Sequence, residues 1–377
     1  MSGDVMRDRD ELGMQPWRLR LGTRRSALAL TQSQWVADRL TKALADQGRQ
    51  LEVELVEVTT HGDVSSAPLA TLGGTGVFVS ALRTELLAGR IDVAVHSLKD
   101  LPTAPAEGLV TGAVPAREDP RDVLVARDGL SLAELPRGSR IGTGSPRRAA
   151  QLRALDLGLD VVDVRGNVDT RLRMVTDGRL DGVVLARAGL LRLGRAGEAT
   201  EVFDPLLMLP APGQGALAVE CRAADQETRE ALALIDDDAA RASVAAERAL
   251  LRRLEAGCAA PVGALAEVVE GEEGPELSLR AVVAAVDGTA SLRRSAVAPM
   301  GRPTLITAPS DGESTVESEP KAPPDPGISG ASRALPPVAG EATAEALGQA
   351  LAEQLLEDGA GDLMPAATST QAREGDT

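Results

Sequence analysis

Aromatic residues are almost missing from this sequence. Trp17, Trp35, Phe78 and Phe203 are the only ones, and there is no tyrosine. Cores must therefore be assembled from Leu, Val, Ile and Ala. A base-stacking nucleic-acid surface needs aromatic platforms, so this composition argues against one. The formal net charge of −16 also opposes contact with a phosphate backbone, and no nucleic-acid partner is expected. Cysteine is scarce as well: Cys221 and Cys258 are too few for a disulfide framework in 377 residues. They lack metal-ligand spacing and only His61 and His96 could join them, so no metal site is expected. No apolar run approaches the roughly 20 residues that a membrane span needs. Residues 1–16 are polar and charged and hold no apolar signal-peptide core. A cytoplasmic protein without a membrane partner is the expectation, and with no apolar surface stripe in the sequence, a monomer.

Hydrophobic residues make up 43% of the chain, enough for most of it to fold, and its length allows two or three domains. Against the acidic balance, four arginines gather in one short region. Arg147 and Arg148 end the segment Gly142-Thr-Gly-Ser-Pro-Arg-Arg148, and Arg165 and Arg171 lie in Val164-Arg-Gly-Asn-Val-Asp-Thr-Arg171. Local positive charge in a protein of opposite sign points to an anion site. An arginine-rich solvated surface is the plainer reading of the same residues.

Taken in order, residues 1–16 read as a disordered extension. Trp17 to Leu21 alternates as a strand, runs through Gly22-Thr-Arg-Arg-Ser26, and enters a helix over 26–46 with Ser26 as its N-cap. A helix start of this kind presents free N–H groups to an anion beside Arg24. It is also what any capped helix with a solvated arginine looks like. A strand over 51–58, a polar Gly-rich loop over 60–75, a helix over 78–87 and a strand over 91–95 complete a β-α-β-α-β pattern, which calls for a parallel sheet. That last strand leads into His96-Ser-Leu-Lys-Asp-Leu-Pro102. Ligands of open α/β sheets bind beyond the carboxyl ends of strands, so Lys99 and Asp100 are placed for chemistry. Strands over 109–114 and 122–126 are expected to leave the first sheet. A second α/β unit follows over 139–193. Its helix starting at Pro146 carries Arg147 and Arg148 in the first turn, where cations oppose the helix dipole. The Pro/Gly turn at 210–215 and the strand to Glu220 return the chain to the first sheet, giving two crossings as in hinged binding proteins. Helices over 226–235 and 238–254, three strands between 262 and 297, and a helix over 340–357 read as a small α+β unit. Residues 300–338 are rich in Pro, Ser, Gly and Glu and aperiodic, which marks an insertion, and 365–377 a tail.

The ordered segments resemble the porphobilinogen deaminase (hydroxymethylbilane synthase) family. They are Gly22–Ser26, Gly73-Gly-Thr-Gly-Val-Phe78, Ala94-Val-His-Ser-Leu-Lys-Asp100, Arg117-Glu-Asp-Pro-Arg-Asp122, Gly142–Arg148, Val164–Arg171, Pro212-Gly-Gln-Gly215 and Leu254-Glu-Ala-Gly-Cys258. Eight segments in matching order and spacing make coincidence implausible. The resemblance implies two periplasmic-binding-protein-like α/β domains joined by a two-crossing hinge, plus a small α+β C-terminal domain. The implied boundaries are 17–116 with 214–236, then 117–213, then 237–364. It implies a transferase that joins four porphobilinogen molecules head to tail, releases ammonia and yields hydroxymethylbilane. The implied cofactor is a dipyrromethane held by a thioether to Cys258, while Cys221 follows a buried-strand pattern.

By the same resemblance Asp100 is the catalytic carboxylate. Lys99, Thr143, Ser145, Arg147 and Arg148 match cofactor-binding positions. Arg24, Ser26, Phe78, Arg165, Arg171 and Arg192 match substrate-binding positions. The chemistry is coherent, because each pyrrole carries an acetate and a propionate and guanidinium forks pair with carboxylates bidentately. At an effective dielectric near 20, one such contact at about 4 Å is worth roughly 4 kcal/mol before desolvation. The chain departs from the family at Thr75, where many relatives carry a basic residue, at Pro146, where an aliphatic residue is common, and in the 300–338 insertion. A non-catalytic, two-lobed anion-binding protein fits the same α/β pattern and arginines, but it leaves the third unit and Cys258 without a purpose.

Overall fold

The computed structural model describes residues 17–58, 76–256, 260–272, 274–300 and 340–364, with the side chains of 76–78 outside that set. The expected N-terminal extension, the 60–75 loop, Cys258, the 301–338 part of the insertion and the tail lie outside the described residues, as does the Phe78 side chain.

Three sheets organise the rest. The first has the order β2-β1-β3-β10-β4, built from β1 (Trp17–Thr23), β2 (Leu51–Glu57), β3 (Val93–Ser97), β4 (Leu109–Ala113) and β10 (Leu217–Arg222). β1 runs parallel to β2 and β3, whereas β10 is antiparallel to both β3 and β4. Leu109–Ala113 was expected to leave this sheet. It is instead the sheet's edge, and the departure comes after Ala113. The strand pattern alone could not show this, because the partner of β4 lies over a hundred residues downstream. Helices α1 (Ala27–Ala45) and α2 (Gly76–Leu87) cross between the parallel strands. Leu19, Leu21, Val36, Leu40, Leu44, Val93 and Val219 close one core, with Cys221 buried among them. Fully burying a side chain of this kind contributes roughly 1.5–3 kcal/mol.

The second sheet repeats the plan with the order β7-β6-β8-β5-β9. Its strands are β5 (Asp122–Ala126), β6 (Arg140–Gly142), β7 (Asp160–Val162), β8 (Gly182–Ala186) and the short β9 (Glu201–Val202), which the sequence reading missed. β6 pairs in parallel with β7 and β8, and β5 is antiparallel to β8. Helices α3 (Pro146–Ala154), α4 (Val168–Thr176) and α5 (Arg187–Arg192) connect these strands. Each sheet thus holds four strands that run one way and one antiparallel strand, β10 or β5, that follows a crossing, the two-lobed periplasmic-binding-protein-like arrangement. The third sheet is an antiparallel meander of β11 (Val262–Gly271), β12 (Gly274–Ala284) and β13 (Ser291–Pro299).

After α6 (Gln226–Ala233), helix α7 (Asp238–Arg253) joins the first and third sheets. Asp237 caps it by accepting from Ala240 N at 2.8 Å, Asp238 sits in its first turn, and Arg252 and Arg253 sit in its last, so both ends suit the helix dipole. Ala240 and Val244 pack with Leu98, Ala216 and Ala218 of the first lobe. Ala246 and Leu250 pack with β11, β12 and α8 (Glu341–Glu357). Glu247, fully buried, is the fastening point. Its carboxylate accepts from Arg117 Nη1 and Nη2 at 2.7 and 3.0 Å, from Gly213 N at 2.6 Å and from Ala266 N at 2.8 Å. Both crossings and the third sheet therefore meet on one carboxylate. The crossings also touch directly: Gly215 has φ +88°, and a Cβ there would stand 2.3 Å from the Glu118 carbonyl oxygen, so only glycine fits.

Candidate active site

Every candidate residue of the two lobes lies just past the carboxyl end of a parallel strand or in the helix that follows. Arg24 and Ser26 follow β1, Lys99 and Asp100 follow β3, Thr143 to Arg148 follow β6, Arg165 and Arg171 follow β7, and Arg192 ends the helix after β8. Parallel sheets place their ligand crevice there. Leu28 of α1 lies against Gly189 of α5, which brings the Arg24–Ser26 helix start and the Arg192 helix together.

The helix starts form as their sequences dictate. Ser26 accepts from Ala29 N at 3.3 Å, Asn167 from Thr170 N at 2.9 Å, and Ser145 from Arg148 N at 3.5 Å. Pro146 occupies the first helical position, where its missing N–H is not needed. Thr143 is buried and its hydroxyl accepts from Ser145 N at 3.2 Å, which fixes the turn between β6 and α3. A Cβ on Gly144 would stand 2.6 Å from the Val164 carbonyl oxygen, so that turn admits no larger residue.

Arg147 and Arg148 do not spread over a surface rim. They are 3% and 5% exposed and converge on Asp122, which is fully buried at the start of β5. Arg147 Nη1 donates to Asp122 Oδ2 at 2.8 Å and also to the Leu209 carbonyl. Arg148 donates to Asp122 Oδ1 from Nε at 3.0 Å and Nη2 at 2.7 Å, and to the Val184 carbonyl at 3.0 Å. Gln214 adds a fourth bond to the carboxylate, Nε2 to Oδ1 at 2.7 Å, and grips the Pro120 carbonyl at 2.7 Å. Burial would raise the Asp122 carboxyl, but the two guanidiniums outweigh it and hold the group well below the usual carboxylate range. Burial also lowers Arg147, with Asp122 opposing.

Lys99 and Asp100 close a short helical turn directly after β3. Lys99 Nζ lies 3.4 Å from Gln214 Oε1, the same oxygen that Arg148 Nη2 reaches at 3.4 Å. Burial, reinforced by the nearby charges of Arg148 and Arg147 and opposed by Asp100 and Asp122, pushes Lys99 down to about 8. Around this point three cations face two carboxylates, which leaves one net positive charge before the outer arginines are counted. Arg171 is lowered by burial and then by Arg148 and Arg165, so it belongs to the same electrostatic cluster. Its Nε donates to the Gly166 carbonyl at 2.9 Å. Arg165 is exposed and paired with Asp163 at 3.3 Å. Arg192 donates to the Gly215 carbonyl at 2.6 Å and is pushed down to about 10 by burial, with Glu118 opposing. It remains charged at neutral pH.

A ligand bearing several carboxylates suits this donor set. Arg147 Nε is buried with no partner among the described residues. An unpaired buried donor costs about 1–3 kcal/mol, which an incoming carboxylate would recover. Residues that could hold a dipyrromethane are therefore Lys99, Ser145, Arg147 and Arg148, with Thr143 behind them. Asp122, Gln214, Arg117 and Glu247 were given no role from sequence. Arg117, Asp122 and Gln214 lie within matching segments, where the signal available was a charged or amide side chain at a strand or turn position that faces inward. Glu247 lies outside them in α7, where the signal was a carboxylate among apolar helix positions.

Comparison with known proteins agrees with this geometry. The family model described as porphobilinogen deaminase, dipyromethane cofactor binding domain, matches residues 19–230, and the porphobilinogen deaminase C-terminal domain matches 242–303. A porphobilinogen deaminase of Nocardia farcinica is 62% identical over 284 residues, covering 74% of this chain and 80% of that protein. One of Mycolicibacterium paratuberculosis is 58% identical over 289 residues, covering 75% and 90%. Among solved structures, the methionine-binding protein MetQ overlaps 58% of this chain and 88% of that one at 15% identity and a TM-score of 0.37, a likeness too loose to carry an argument. Two family models in the expected order and relatives near 60% identity agree with the buried arginine pair at the strand ends: this chain belongs to the porphobilinogen deaminase family.

Proposed function

We propose how this chain, a transferase of tetrapyrrole biosynthesis with a dipyrromethane cofactor, divides its work among named residues. The observation that carries the reading is the net-positive, largely buried cluster of Arg147, Arg148 and Lys99 around Asp122 with Asp100 at its edge. Four porphobilinogen molecules are joined head to tail, one ammonia leaving at each addition, to give hydroxymethylbilane. When bound, the dipyrromethane supplies the free pyrrole α-carbon to which the first substrate is joined. Cys258 holds it through a thioether, and Cys221 is the wrong thiol for that task. It is fully buried in the first core, and burial pushes its thiol up to about 12.

Lys99, Arg147 and Arg148 hold the cofactor's carboxylates, with Thr143 and Ser145 shaping the turn that presents them. Asp122 keeps both guanidiniums at fixed positions, so little reorganisation accompanies binding. Arg24, Ser26, Phe78, Arg165, Arg171 and Arg192 meet the incoming substrate and the lengthening chain. Asp100 faces the positive charge that develops as the aminomethyl C–N bond breaks. It stabilises that charge, accepts hydrogen bonds from pyrrole N–H groups and takes up and returns protons at its carboxylate oxygens. We read the chain as three units over 17–116 with 214–236, 117–213 and 237–364, acting as a cytoplasmic monomer. Asp100→Ala is expected to lose nearly all turnover of porphobilinogen and Asp100→Glu to leave a slow enzyme. An alanine variant within about tenfold of wild type would sink this assignment, because general acid–base groups usually contribute about 100-fold or more.

A further inference from the structure

We infer that Arg248 is a positioning residue that sets the place of Asp100 from helix α7. This rests on the role proposed for Asp100.

Asp100 ends the turn Leu98–Asp100, and the chain after it has little of its own to hold it. Leu101 N bonds back to Leu98 O at 3.0 Å. Pro102 and Pro105 have no N–H to give, and residues 102–106 form neither helix nor strand. Their side chains are half-buried or exposed, and the segment Leu101–Ala106 lines a cavity of about 330 Å³. Close packing therefore holds the exit as far as Leu101 and does not fix its path beyond that residue. Arg248 does: Nη1 donates to the Leu101 carbonyl at 2.9 Å and Nη2 to the Pro102 carbonyl at 2.6 Å. Arg248 lines the same cavity. A planar fork that grips two consecutive carbonyls fixes both the position and the rotation of the chain leaving Asp100. Leu98 and Leu101 add depth by packing near Val244, one helical turn before Arg248 on α7.

The placement along α7 gives this contact its meaning. Glu247, the preceding residue, holds Arg117, Gly213 N and Ala266 N, and so fastens both crossings and the third sheet. The helix ends at Arg253, five residues before Cys258 in sequence. One helix thus carries the contacts to the Asp100 turn, the crossings and the third sheet. A catalytic carboxylate must be placed within a fraction of an ångström, and a misplacement of about 1 Å can cost on the order of 100-fold.

The test uses holoenzyme variants. Arg248→Met keeps the length and apolar stem but removes the fork. Arg248→Lys keeps the charge and restores one point donor. Arg248→Gln carries the same comparison should the methionine variant not fold. Turnover and KM for porphobilinogen, protein mass and thermal midpoint are measured, each also in an Asp100→Glu background. Arg248→Met is expected to carry the full cofactor mass, to lose about tenfold or more in kcat with KM within about threefold, and to be partly rescued by lysine. In the Asp100→Glu background the same change should cost less than about threefold, because the carboxylate it positions is already displaced. A kcat within about twofold of wild type, or an equal loss in both backgrounds, overturns the inference. Asp100→Ala separates the two levels. If it stays active, the reading of Asp100 fails. If it is inactive while Arg248→Met is fully active, only the role of Arg248 fails.

Discussion

Asp122→Asn is the sharpest probe of how this site holds its charge. The carboxylate is fully buried and accepts three bonds from two arginines, at 2.8, 3.0 and 2.7 Å, and one from Gln214 at 2.7 Å. Asparagine keeps the shape but removes the charge, and its amide NH2 must then point at a guanidinium or at the Gln214 amide. Arg147 and Arg148 would be left as buried cations beside each other. Breaking a buried pair by removing one partner costs about 3–5 kcal/mol. At about 2–4 °C per kcal/mol, the thermal midpoint should fall by roughly 6–20 °C. The assay is unfolding of the cofactor-free Cys258→Ala protein with and without Asp122→Asn, beside the same pair in the holoenzyme. A bound cofactor brings carboxylates to the same guanidiniums, so the holoenzyme penalty should be smaller by about 1.5–3 kcal/mol, the worth of a hydrogen bond to a charged group. A cofactor-free penalty under about 1 kcal/mol would refute Asp122 as the anchor. Equal penalties in the two forms would refute the meeting of cofactor carboxylates with Arg147 and Arg148.

Two further outcomes concern protons and thiols. Lys99 is pushed down to about 8 from 10.5, mainly by burial, so between those values the folded protein holds fewer protons than the unfolded chain. Its contribution therefore raises stability as pH climbs, by about 2 kcal/mol from pH 8 to 10 in cofactor-free protein. Cys221 works in the opposite direction from pH 9 to about 12, because the fold keeps a proton that the unfolded chain releases. Comparing urea midpoints of Cys258→Ala with and without Lys99→Met isolates the lysine, and a pH-independent difference would disprove its burial as a cation. Iodoacetamide at pH 8 should label no thiol of the native holoenzyme and one after denaturation, Cys221. Two labelled thiols in the denatured holoenzyme would rule out the thioether, and rapid labelling of the native protein at Cys221 would contradict its burial.

The elements were largely legible because most are local. Trp17–Thr23 alternates, Ser26, Ser145 and Asn167 are cap residues followed by periodic apolar faces, and Pro146 marks a helix start. What could not be read was pairing at a distance. β4 finds its partner in β10, with Cys221 opposite Val110, and no local pattern in Leu109–Ala113 announces that. The two residues of β9 are too few to show a period, and they form a strand only because β5 offers an edge, Val202 beside Val123.

The arginines show the same limit at the level of chemistry. From sequence, two cations in the first turn of α3 oppose the helix dipole, and a ligand is the evident compensation. The structure supplies another one first. Asp122 neutralises half of that charge from a strand that begins over twenty residues earlier, at the end of the segment Arg117–Asp122. That segment matched the family without an assigned role because its function is to receive side chains from elsewhere: Arg117 goes to Glu247, and Asp122 takes Arg147, Arg148 and Gln214. The carboxylate does not compete with a cofactor role for the arginines. One anion shared by two guanidiniums leaves a positive charge in place, and the buried Arg147 Nε leaves a donor without a partner among the described residues. An unshared pair would repel and splay, and a fully neutralised pair would have no reason to bind. Holding two cations on one fixed anion keeps the site both folded and attractive to a carboxylate, and in a chain of net charge −16 that arrangement confines the attraction to one crevice.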